Sequence, residues 1–438
     1  MAAELRETGI AAIGAIPVTW KLERLNNVAE LFGRIGWQGL TSDEYTDEGA
    51  YLVTGTDFRD GYIDWSSCVH VSEERWEEAW QIKLQEGDLL ISKDGTIGKL
   101  AIVSDLPGHA SLNSGLMRIV PRSNGYVIKY LYYVLQTDVF YDWYREIDAG
   151  ASTIKHLFQG DFIHFVYPSP PIEEQEAITE ELDKSTAEID HAISLVTQQL
   201  EILDDYRKSL IQEAVTKGLN PTVDMKPSGL DWVGDMPIHW QLKKVKNISE
   251  SRNGFDYVAE DVCGPDDAGA TLVVRSSNLD GNGMMFDDCV YLNKRIPSAL
   301  RLQKDDIVIV RTNGSRELVG KNALVPENGI GTIGAFMLLC RTPYPRYLHW
   351  VLNSQLFPRY LGTFETSTVN QITNGNLRNM VVPFCPDPQE RDLICDYLDT
   401  KCATVDRLIA GKRKQLETLR AQRQSLIYEY VTGKRRVL

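Results

Sequence analysis

The chain has 438 residues, of which 43% are hydrophobic, and a formal net charge of −15. This length allows two to four domains with separate cores, and no stretch approaches the roughly 18 uncharged apolar residues that a membrane span needs. The N-terminal sequence MAAELRETG lacks the basic and then apolar pattern of a signal peptide, so we expect a cytoplasmic protein that has no membrane partner.

Charge and cysteine content narrow the function classes further. The acidic balance argues at first against nucleic acid, but Asp and Glu concentrate in the first half, so a DNA surface would be a local patch and acidic faces would be free for basic protein partners. The seven cysteines are scattered and form no C-x-x-C motif. We therefore expect reduced thiols, with neither a disulfide framework nor a metal site.

The chain repeats itself. TGIAAIGAIPVTWKLERLNNVAE at 8–30 returns as SGLDWVGDMPIHWQLKKVKNISE at 228–250, and KYLYYVLQ at 129–136 returns as RYLHWVLN at 346–353. Residues 174–216 and 390–432 are identical at 18 of 43 positions, at a constant offset of 216. A period this long predicts two whole structural units with near-twofold symmetry. Such a molecule suits a ligand that is itself nearly twofold, of which duplex DNA is the commonest.

Residues 1–172 are predicted to form the first globular domain, of mixed α/β character. Its short strands are predicted within YLVTGTDF, DLLISKDG, KLAIV and LMRIV, and a helix is predicted over 128–143. Residues 173–217 follow as one long helix, framed by Pro170 and Pro171 before it and by Gly218 after it. Its apolar residues alternate at four and three positions along a heptad seam, at Leu182, Ile189, Ile193, Val196, Leu200, Leu203 and Leu210.

A linker rich in Gly and Pro leads into the second copy, which is predicted to form a globular domain over 218–388. TLVVRSSNL, DIVIVRTNG, NALV and FMLLC take the places of the earlier strands, and a helix is predicted over 347–356. Residues 389–438 form a second long helix and a basic tail, and Gly433 closes the helix. Its seam carries Leu398, Cys402, Val405, Ile409, Leu416, Leu419, Leu426 and Tyr430.

Charge suggests how the long helices pair. The first is acidic near its start and the second is basic in its later part, so antiparallel packing would bring opposite charges together. Such surface pairs set orientation more than stability. Two solvated charged faces remain the alternative. The predicted fold class is therefore α/β (α+β), with two pseudo-symmetric globular domains separated by an antiparallel pair of long coiled-coil helices.

Three segments resemble motifs of catalysis or nucleotide binding, but each lacks a residue, a spacing or a structural element that the motif requires. GIGTIG at 329–334 matches G-x-G-x-x-G, but a strand-like AFMLLC follows where a helix is required. KDGTIGK at 93–99 lacks the spacing of a phosphate-binding loop and reads as a hairpin turn. SPPI at 169–172 lacks the Asn or Asp and the aromatic residue of an amino-methyltransferase motif. We expect no catalytic residue in this chain.

Polar loops at repeated positions are the remaining candidates for function. TGTDFRDG corresponds to RSSNLDG, SKDGTIGK to VRTNGSRELVGK, and ASTIKHL to TSTVNQI. Such side chains read base edges and bind phosphates, although solvated polar turns are the plain alternative. The predicted DNA-binding residues are Thr56, Arg59, Lys93, Thr96, Lys99, Ser152, Thr153, Lys155 and His156 in the first copy, and Arg275, Ser277, Asn278, Arg311, Asn313, Ser315, Arg316, Ser367, Asn370 and Gln371 in the second.

With these segments in place, the chain resembles the specificity subunit of a type I restriction-modification system. The resemblance covers nearly the whole chain and rests on SGLDWVGDMPIHW with its degraded first copy, LQEGDLLISKDGTIGKLAIV, and PSPPIEEQEAITEELD before the long helix. It implies two target recognition domains, each reading one half of a bipartite double-stranded DNA target. It also implies two adenine-N6 methyltransferase subunits and restriction subunits as partners, which would carry S-adenosylmethionine, ATP and Mg, with no cofactor in this chain.

Under this interpretation the long helices act as a ruler that sets the unread spacer between the half-sites. Two alternatives stay open. One is a non-catalytic, pseudo-symmetric coiled-coil scaffold that binds only proteins, and the other is an enzyme whose site is unrecognised.

Overall fold

A computed structural model describes residues 4–34, 40–78, 80–122, 126–148, 155–280, 283–363 and 371–437. The chain folds into two compact units. Unit 1 comprises Met1–Val196 together with Lys414–Leu438, and unit 2 comprises Thr197–Arg413. No helix among the described residues is both long enough and apolar enough to cross a membrane.

The strands of unit 1 are short and separated by tight turns. They are β1 Leu5–Glu7, β2 Ala15–Pro17, β3 Lys21–Arg24, β4 Ala29–Gly33, β5 Ala50–Val53, β6 Phe58–Arg59, β7 Tyr62–Ile63, β8 Val69–Val71, β9 Leu89–Ser92, β10 Leu100–Ile102, β11 Ala110–Leu112, β12 Leu116–Pro121 and β13 Val166–Ser169. The helices that begin in unit 1 are α1 Leu25–Val28, α2 Glu73–Glu77, α3 Ile128–Val134, α4 Asp138–Asp148, α5 Gln159–Phe162 and α6 Ile172–Lys217.

Two sheets form the centre of unit 1. The first is antiparallel, in the order β10-β9-β12-β4, and the second has the order β11-β5-β8, in which β11 runs parallel to β5. All four residues of β9, Leu-Leu-Ile-Ser, are buried. A strand covered on both faces reads as a continuous apolar run, which is why LLIS was recognisable in the sequence.

The elements that begin in unit 2 follow the same plan. The strands are β14 Met225–Pro227, β15 Asp235–Pro237, β16 Gln241–Lys244, β17 Glu250–Asn253, β18 Val262–Cys263, β19 Thr271–Val274, β20 Leu279–Asp280, β21 Gly283–Met284, β22 Val290–Leu292, β23 Ile307–Val310, β24 Asn322–Leu324, β25 Thr332–Ile333, β26 Met337–Arg341 and β27 Val381–Phe384. The helices are α7 Pro345–Leu352, α8 Leu356–Gly362, α9 Asn374–Asn379 and α10 Pro388–Val431.

The sheets of unit 2 repeat those of unit 1. The order β17-β26-β23-β24 matches β4-β12-β9-β10, and β25 runs parallel to β19 as β11 does to β5. The extra strand β18 joins the edge of the second sheet. This doubled topology, together with two helices of 46 and 44 residues, confirms the predicted mixed α/β fold.

The helix predicted over 128–143 is two helices, α3 and α4, and the one predicted over 347–356 is divided between α7 and α8. A hydroxyl group marks each break: Thr137 Oγ1 donates to Val134 O at 2.7 Å, and Ser354 Oγ donates to Val351 O at 2.6 Å. These side chains satisfy carbonyls that have lost their helical partners, and Ser and Thr compete with the helix in this way. The prediction of single helices was therefore wrong at equivalent positions in both copies.

The long helices contribute to both cores. In unit 1, Ile427, Tyr430 and Val431 of α10 belong to the same buried cluster as Ile178 and Leu182 of α6. In unit 2, the corresponding cluster contains residues from the end of α6 and from the start of α10, namely Ile211, Ala214, Val215, Ile394, Cys395, Leu398 and Cys402. Within each unit, the end of one long helix therefore packs beside the start of the other, which is the antiparallel arrangement predicted from charge.

A buried tryptophan attaches the start of each long helix to its unit. Trp20 Nε1 donates to Glu174 Oε2 at 2.9 Å, and Trp240 Nε1 donates to Glu390 Oε1 at 3.1 Å. Both indoles are at most 2% exposed. The tryptophan that recurs in the sequence repeat therefore contacts the first turn of the long helix in each unit.

Each long helix has a further acidic residue that binds it to the short helix beside it. Asp183 accepts from Lys129 Nζ and from Tyr133 Oη, both at 2.6 Å. Asp399 accepts from Arg346 Nη2 at 2.5 Å and from Trp350 Nε1 at 2.8 Å. Each carboxylate therefore binds one cation and one aromatic donor, one turn apart on the short helix.

Candidate nucleic-acid interface

Three polar loops that are far apart in sequence meet in unit 1. The turn between β9 and β10 lies beside the segment after residue 154, where Leu157 N donates to Lys93 O at 2.9 Å and Asp94 forms a bridge and a side-chain contact with His156. Lys99 Nζ reaches the loop after β5 and donates to Gly55 O at 3.3 Å. The three loops paired by the sequence repeat are therefore neighbours in the fold.

Unit 2 brings together the corresponding loops. Ile372 N donates to Arg311 O at 2.9 Å, and Thr312 forms a bridge with Gln371. Asn313 Nδ2 donates to Ser276 Oγ at 3.3 Å, which joins the loop after β23 to the loop after β19. The same three-loop junction thus occurs twice with different side chains.

The predicted residues of unit 1 lie mostly on the surface. Thr56, Arg59, Thr96, Lys99 and Lys155 are exposed, whereas Lys93 and His156 are half-buried. Arg59 Nη1 donates to Thr56 O at 2.7 Å and to Phe58 O at 3.0 Å, so its guanidinium folds back over its own loop. Ser152 and Thr153 lie outside the described residues.

In unit 2, Ser277, Ser315, Arg316 and Gln371 are exposed, and Arg275, Arg311 and Asn313 are half-buried. Ser367 and Asn370 lie outside the described residues. One predicted residue differs in character: Asn278 is 1% exposed, accepts from Arg275 N at 2.9 Å, and donates to Met285 O and Asp288 O. Its amide is thus occupied inside the protein, where it holds the loop after β19 in shape.

Asp57 has the equivalent place in unit 1. It is 4% exposed and accepts from Thr54 N at 2.7 Å, from Thr54 Oγ1 at 2.9 Å and from Ser67 Oγ at 3.3 Å. Each unit therefore has one buried acceptor that shapes the first loop. This role could not be separated from a binding role in the sequence because Asn and Asp serve both.

A cavity of about 680 Å³ opens at the loop junction of unit 2. Polar groups from the first two loops line it together with aromatic side chains that the sequence analysis missed. The lining residues are Asp256, Tyr257, Arg275, Ser276, Ser277, Thr312, Asn313, Gly314, Gly334, Ala335, Phe336 and Met337. Phe336 is 67% exposed, which the sequence does not indicate because the residue lies in a strand-like apolar run.

Polar atoms beside this cavity have unused hydrogen-bonding capacity. Arg275 Nε, Arg311 Nε and Thr312 Oγ1 are buried and have no partner among the described residues. Arg275 is oriented by Asp288, whose Oδ2 accepts from its Nη2 at 2.9 Å. Buried polar groups are normally paired, so these three atoms are exceptions among the described residues of the junction.

The sequence of this chain is similar to those of known proteins. A family model described as the type I restriction modification DNA specificity domain matches residues 17–199. The putative type I restriction enzyme MjaX specificity subunit of Methanocaldococcus jannaschii is 24% identical over 444 residues, with 97% of this chain and 96% of that protein covered. This chain is therefore similar to type I restriction enzyme specificity subunits along nearly its whole length. The EcoKI specificity subunit of Escherichia coli is 22% identical over 410 residues, with 87% of this chain and 82% of that protein covered.

The fold of this chain also occurs in a solved structure that concerns complex assembly and conformational transition of the type I R-M system. The TM-score is 0.67 at 15% sequence identity, and the match covers 96% of this chain and 99% of that chain. The likeness is therefore one of fold along nearly the full length of both chains.

Proposed function

We propose that this chain is a specificity subunit that recognises a bipartite double-stranded DNA target for a type I restriction-modification complex, with one half-site read by the loops of each unit. The chain contributes recognition and assembly and performs no catalysis. The observation that carries the proposal is the three-loop junction, which occurs in both units on matching frameworks with different side chains. Equal frameworks suit equivalent positions on DNA, and unequal side chains suit different base sequences.

The chemistry of the two junctions supports different half-sites. Unit 1 offers Lys93, Thr96, Lys99, Lys155 and His156. Lysine contributes mainly phosphate contacts and contacts to guanine. Unit 2 offers arginine and amide side chains at Arg275, Arg311, Asn313, Arg316 and Gln371. Arginine pairs in bidentate fashion with guanine, and Asn or Gln with adenine.

We propose the following division of the chain. Residues 1–172 and 218–388 are the two target recognition domains, residues 173–217 are the first spacer helix, and residues 389–438 are the second spacer helix with its basic tail. Both long helices contribute residues to both compact units.

The proposed partner subunits carry out the methylation, translocation and cleavage reactions. Two adenine-N6 methyltransferase subunits would use S-adenosylmethionine, and restriction subunits would use ATP and Mg for translocation and cleavage. We place the complex in the cytoplasm, where the host DNA lies. The acidic faces of the first half are available to basic surfaces on these partners.

The test compares one substitution in each junction. In a complex reconstituted with its methyltransferase subunits, Asn313→Ala is expected to relax sequence preference in one half-site, and Lys93→Ala is expected to affect only the other. Sequencing of methylated adenines gives both half-sites in one measurement. Each variant is the control for the other. If either substitution altered both half-sites, independent recognition would be refuted.

The scaffold and enzyme alternatives give different results in the same system. A protein scaffold would leave the methylation pattern unchanged when residues 54–157 are exchanged for those of another family member. An enzyme would transfer methyl groups or cleave DNA as the purified chain alone. The recognition proposal requires that the exchange change one half-site and that the isolated chain be inactive.

A further inference from the structure

Three side chains that belong to different parts of unit 2 converge beside the start of α10. His239 lies between β15 and β16, Cys385 directly follows β27, and Glu390 is in the first turn of α10. His239 Nε2 lies 2.7 Å from Glu390 Oε2, and Cys385 Sγ donates to the same oxygen at 3.1 Å. The donor atoms of all three residues lie within 4.8 Å of one another.

Neighbouring groups hold these side chains in place. Trp240 Nε1 donates to Glu390 Oε1 at 3.1 Å, which leaves Oε2 directed at His239 and Cys385. Arg391 Nη1 donates to Cys385 O at 2.7 Å and fixes the backbone of the cysteine. Hydrogen bonds that orient a ligating side chain are typical of built metal sites. The carboxylate and the thiol are therefore already positioned by the fold.

The set of donors is one that zinc prefers. Imidazole nitrogen, thiolate sulfur and carboxylate oxygen all bind Zn²⁺, at distances of roughly 2.0 to 2.3 Å. Ligand atoms around such an ion lie roughly 3.3 to 3.7 Å apart in tetrahedral geometry. Movements of about half an ångström to one ångström would bring the three atoms to these separations, which rotation of the half-exposed imidazole can supply.

Space for a fourth ligand is present on one side. A cavity of about 440 Å³ is lined by His239 and Glu390 together with Leu219, Asn220, Val223 and Leu393. A water molecule can enter from this side and complete a four-coordinate shell. The other side is closed by the buried Cys385.

Unit 1 provides an internal comparison. The bond between Trp20 and Glu174 repeats that between Trp240 and Glu390, but Thr19 and Pro170 stand where unit 2 has His239 and Cys385. In their place Arg436 Nε lies 2.6 Å from Glu174 Oε1. A side-chain cation thus neutralises the carboxylate of unit 1, whereas the equivalent carboxylate of unit 2 is surrounded by metal-binding groups.

We propose that His239, Cys385 and Glu390 bind one divalent ion of the zinc class per chain. On binding, the thiol proton of Cys385 is released to solvent, a sulfur–metal bond forms, and the charges of the thiolate and carboxylate balance that of the ion. The ion joins the loop before β16 to the start of the second long helix. Its role is to stabilise unit 2, and it takes no part in DNA chemistry.

The test uses the purified full-length chain with Zn²⁺ and with Co²⁺ as a spectroscopic probe. We expect one Zn²⁺ per chain after dialysis, a rise in the melting temperature, and a sulfur-to-cobalt charge-transfer band in the near ultraviolet. Cys385→Ser should abolish the band, and His239→Gln, at an exposed position, should reduce Zn²⁺ binding at least tenfold. Cys395→Ser is the matched control, since it removes a buried thiol of unit 2 outside the cluster and should retain the band.

Other results of the same experiments would overturn the proposal. Absence of bound Zn²⁺ in the folded wild-type chain would overturn the proposal, as would a Cys385→Ser variant that kept the cobalt band. If Cys385→Ser failed to fold, His239→Gln would still decide, because unchanged Zn²⁺ stoichiometry and affinity in that variant would exclude the site.

Discussion

Arg423 donates from Nε to Asp190 Oδ1 at 2.7 Å, and this bond links α10 to α6 within unit 1. The same bond recurs in unit 2, where Arg207 Nε donates to Asp406 Oδ1 at 2.7 Å. Arg207 and Arg423 are equivalent at the repeat offset of 216, and so are Asp190 and Asp406. Each copy of the long helix therefore contributes the arginine in one unit and the aspartate in the other.

These ion pairs should contribute little stability. Their aspartates are about half exposed, at 48% and 47%, so solvent screens the attraction. A double-mutant cycle with Arg207→Ala and Asp406→Ala is expected to give a coupling energy of about 0.2 to 1 kcal/mol in urea unfolding. Exchanging the two residues should restore most of the loss. A coupling above about 2 kcal/mol would contradict the screened geometry.

Removal of an indole donor should cost more. Trp20→Phe keeps the ring buried but leaves Glu174, which is 6% exposed, without the hydrogen bond from Nε1. We expect a loss of about 1 to 3 kcal/mol in the free energy of unfolding, measured by urea titration. Trp232→Phe is the control, because Trp232 Nε1 has no partner among the described residues. Equal losses in the two variants would show that the Glu174 bond is not the cause.

Stability should fall in mild acid because of His349. Burial lowers the pKa of this imidazole to about 4, well below the ordinary value near 6.5, and Nδ1 lies 2.9 Å from Asn322 Oδ1. Because the unfolded chain binds a proton more readily, the contribution is fully present above about pH 6.5 and is lost as the pH falls toward 4.

The expected loss between these pH values is about 2 to 3 kcal/mol, since one unit of pKa shift corresponds to about 1.4 kcal/mol. His349→Gln removes the titrating group and should flatten this part of the profile, which urea unfolding at several pH values would record. A variant profile as steep as that of the wild type would assign the acid sensitivity to other groups.

Helix length should determine the spacer of the DNA target. Insertion of seven residues after Val196 and seven after Arg413 keeps the heptad register and lengthens both helices by about 10 Å. We expect a spacer about three base pairs longer with both half-sites unchanged, given roughly 3.4 Å per base pair. Methylation profiling measures this directly. The same insertion after Pro221, outside the helices, is the control, and an unchanged spacer in the helix variant would refute the ruler.

Much of the fold could be predicted because its signals are local or repeated. The strand Ile307–Val310 is an uninterrupted apolar run, and the long helices carry heptads bounded by Gly218 and Gly433, whose positive φ angles of 73° and 72° suit a helix end. The helix breaks at Thr137 and Ser354 were missed, because a hydroxyl that satisfies a carbonyl looks in sequence like any polar residue on a helix.

The candidate interface was only partly predictable for a different reason. Sequence places polar residues on loops, but only tertiary packing separates the inward Asn278 from the half-exposed Asn313. Phe336 reads as part of a strand until its exposure is known. The residues His239, Cys385 and Glu390 span about 150 positions without a recognisable spacing, so no sequence motif indicates the cluster.

The core of unit 1 includes Ile427, Tyr430 and Val431, which are synthesised after the whole of unit 2. Unit 2 ends at Arg413. On the ribosome, we therefore expect unit 1 to keep an open hydrophobic face until the residues after unit 2 have been made, while unit 2 can close before it. We therefore expect the order of folding to be the reverse of the order of synthesis, with the earlier unit exposed to chaperones and proteases in the interval.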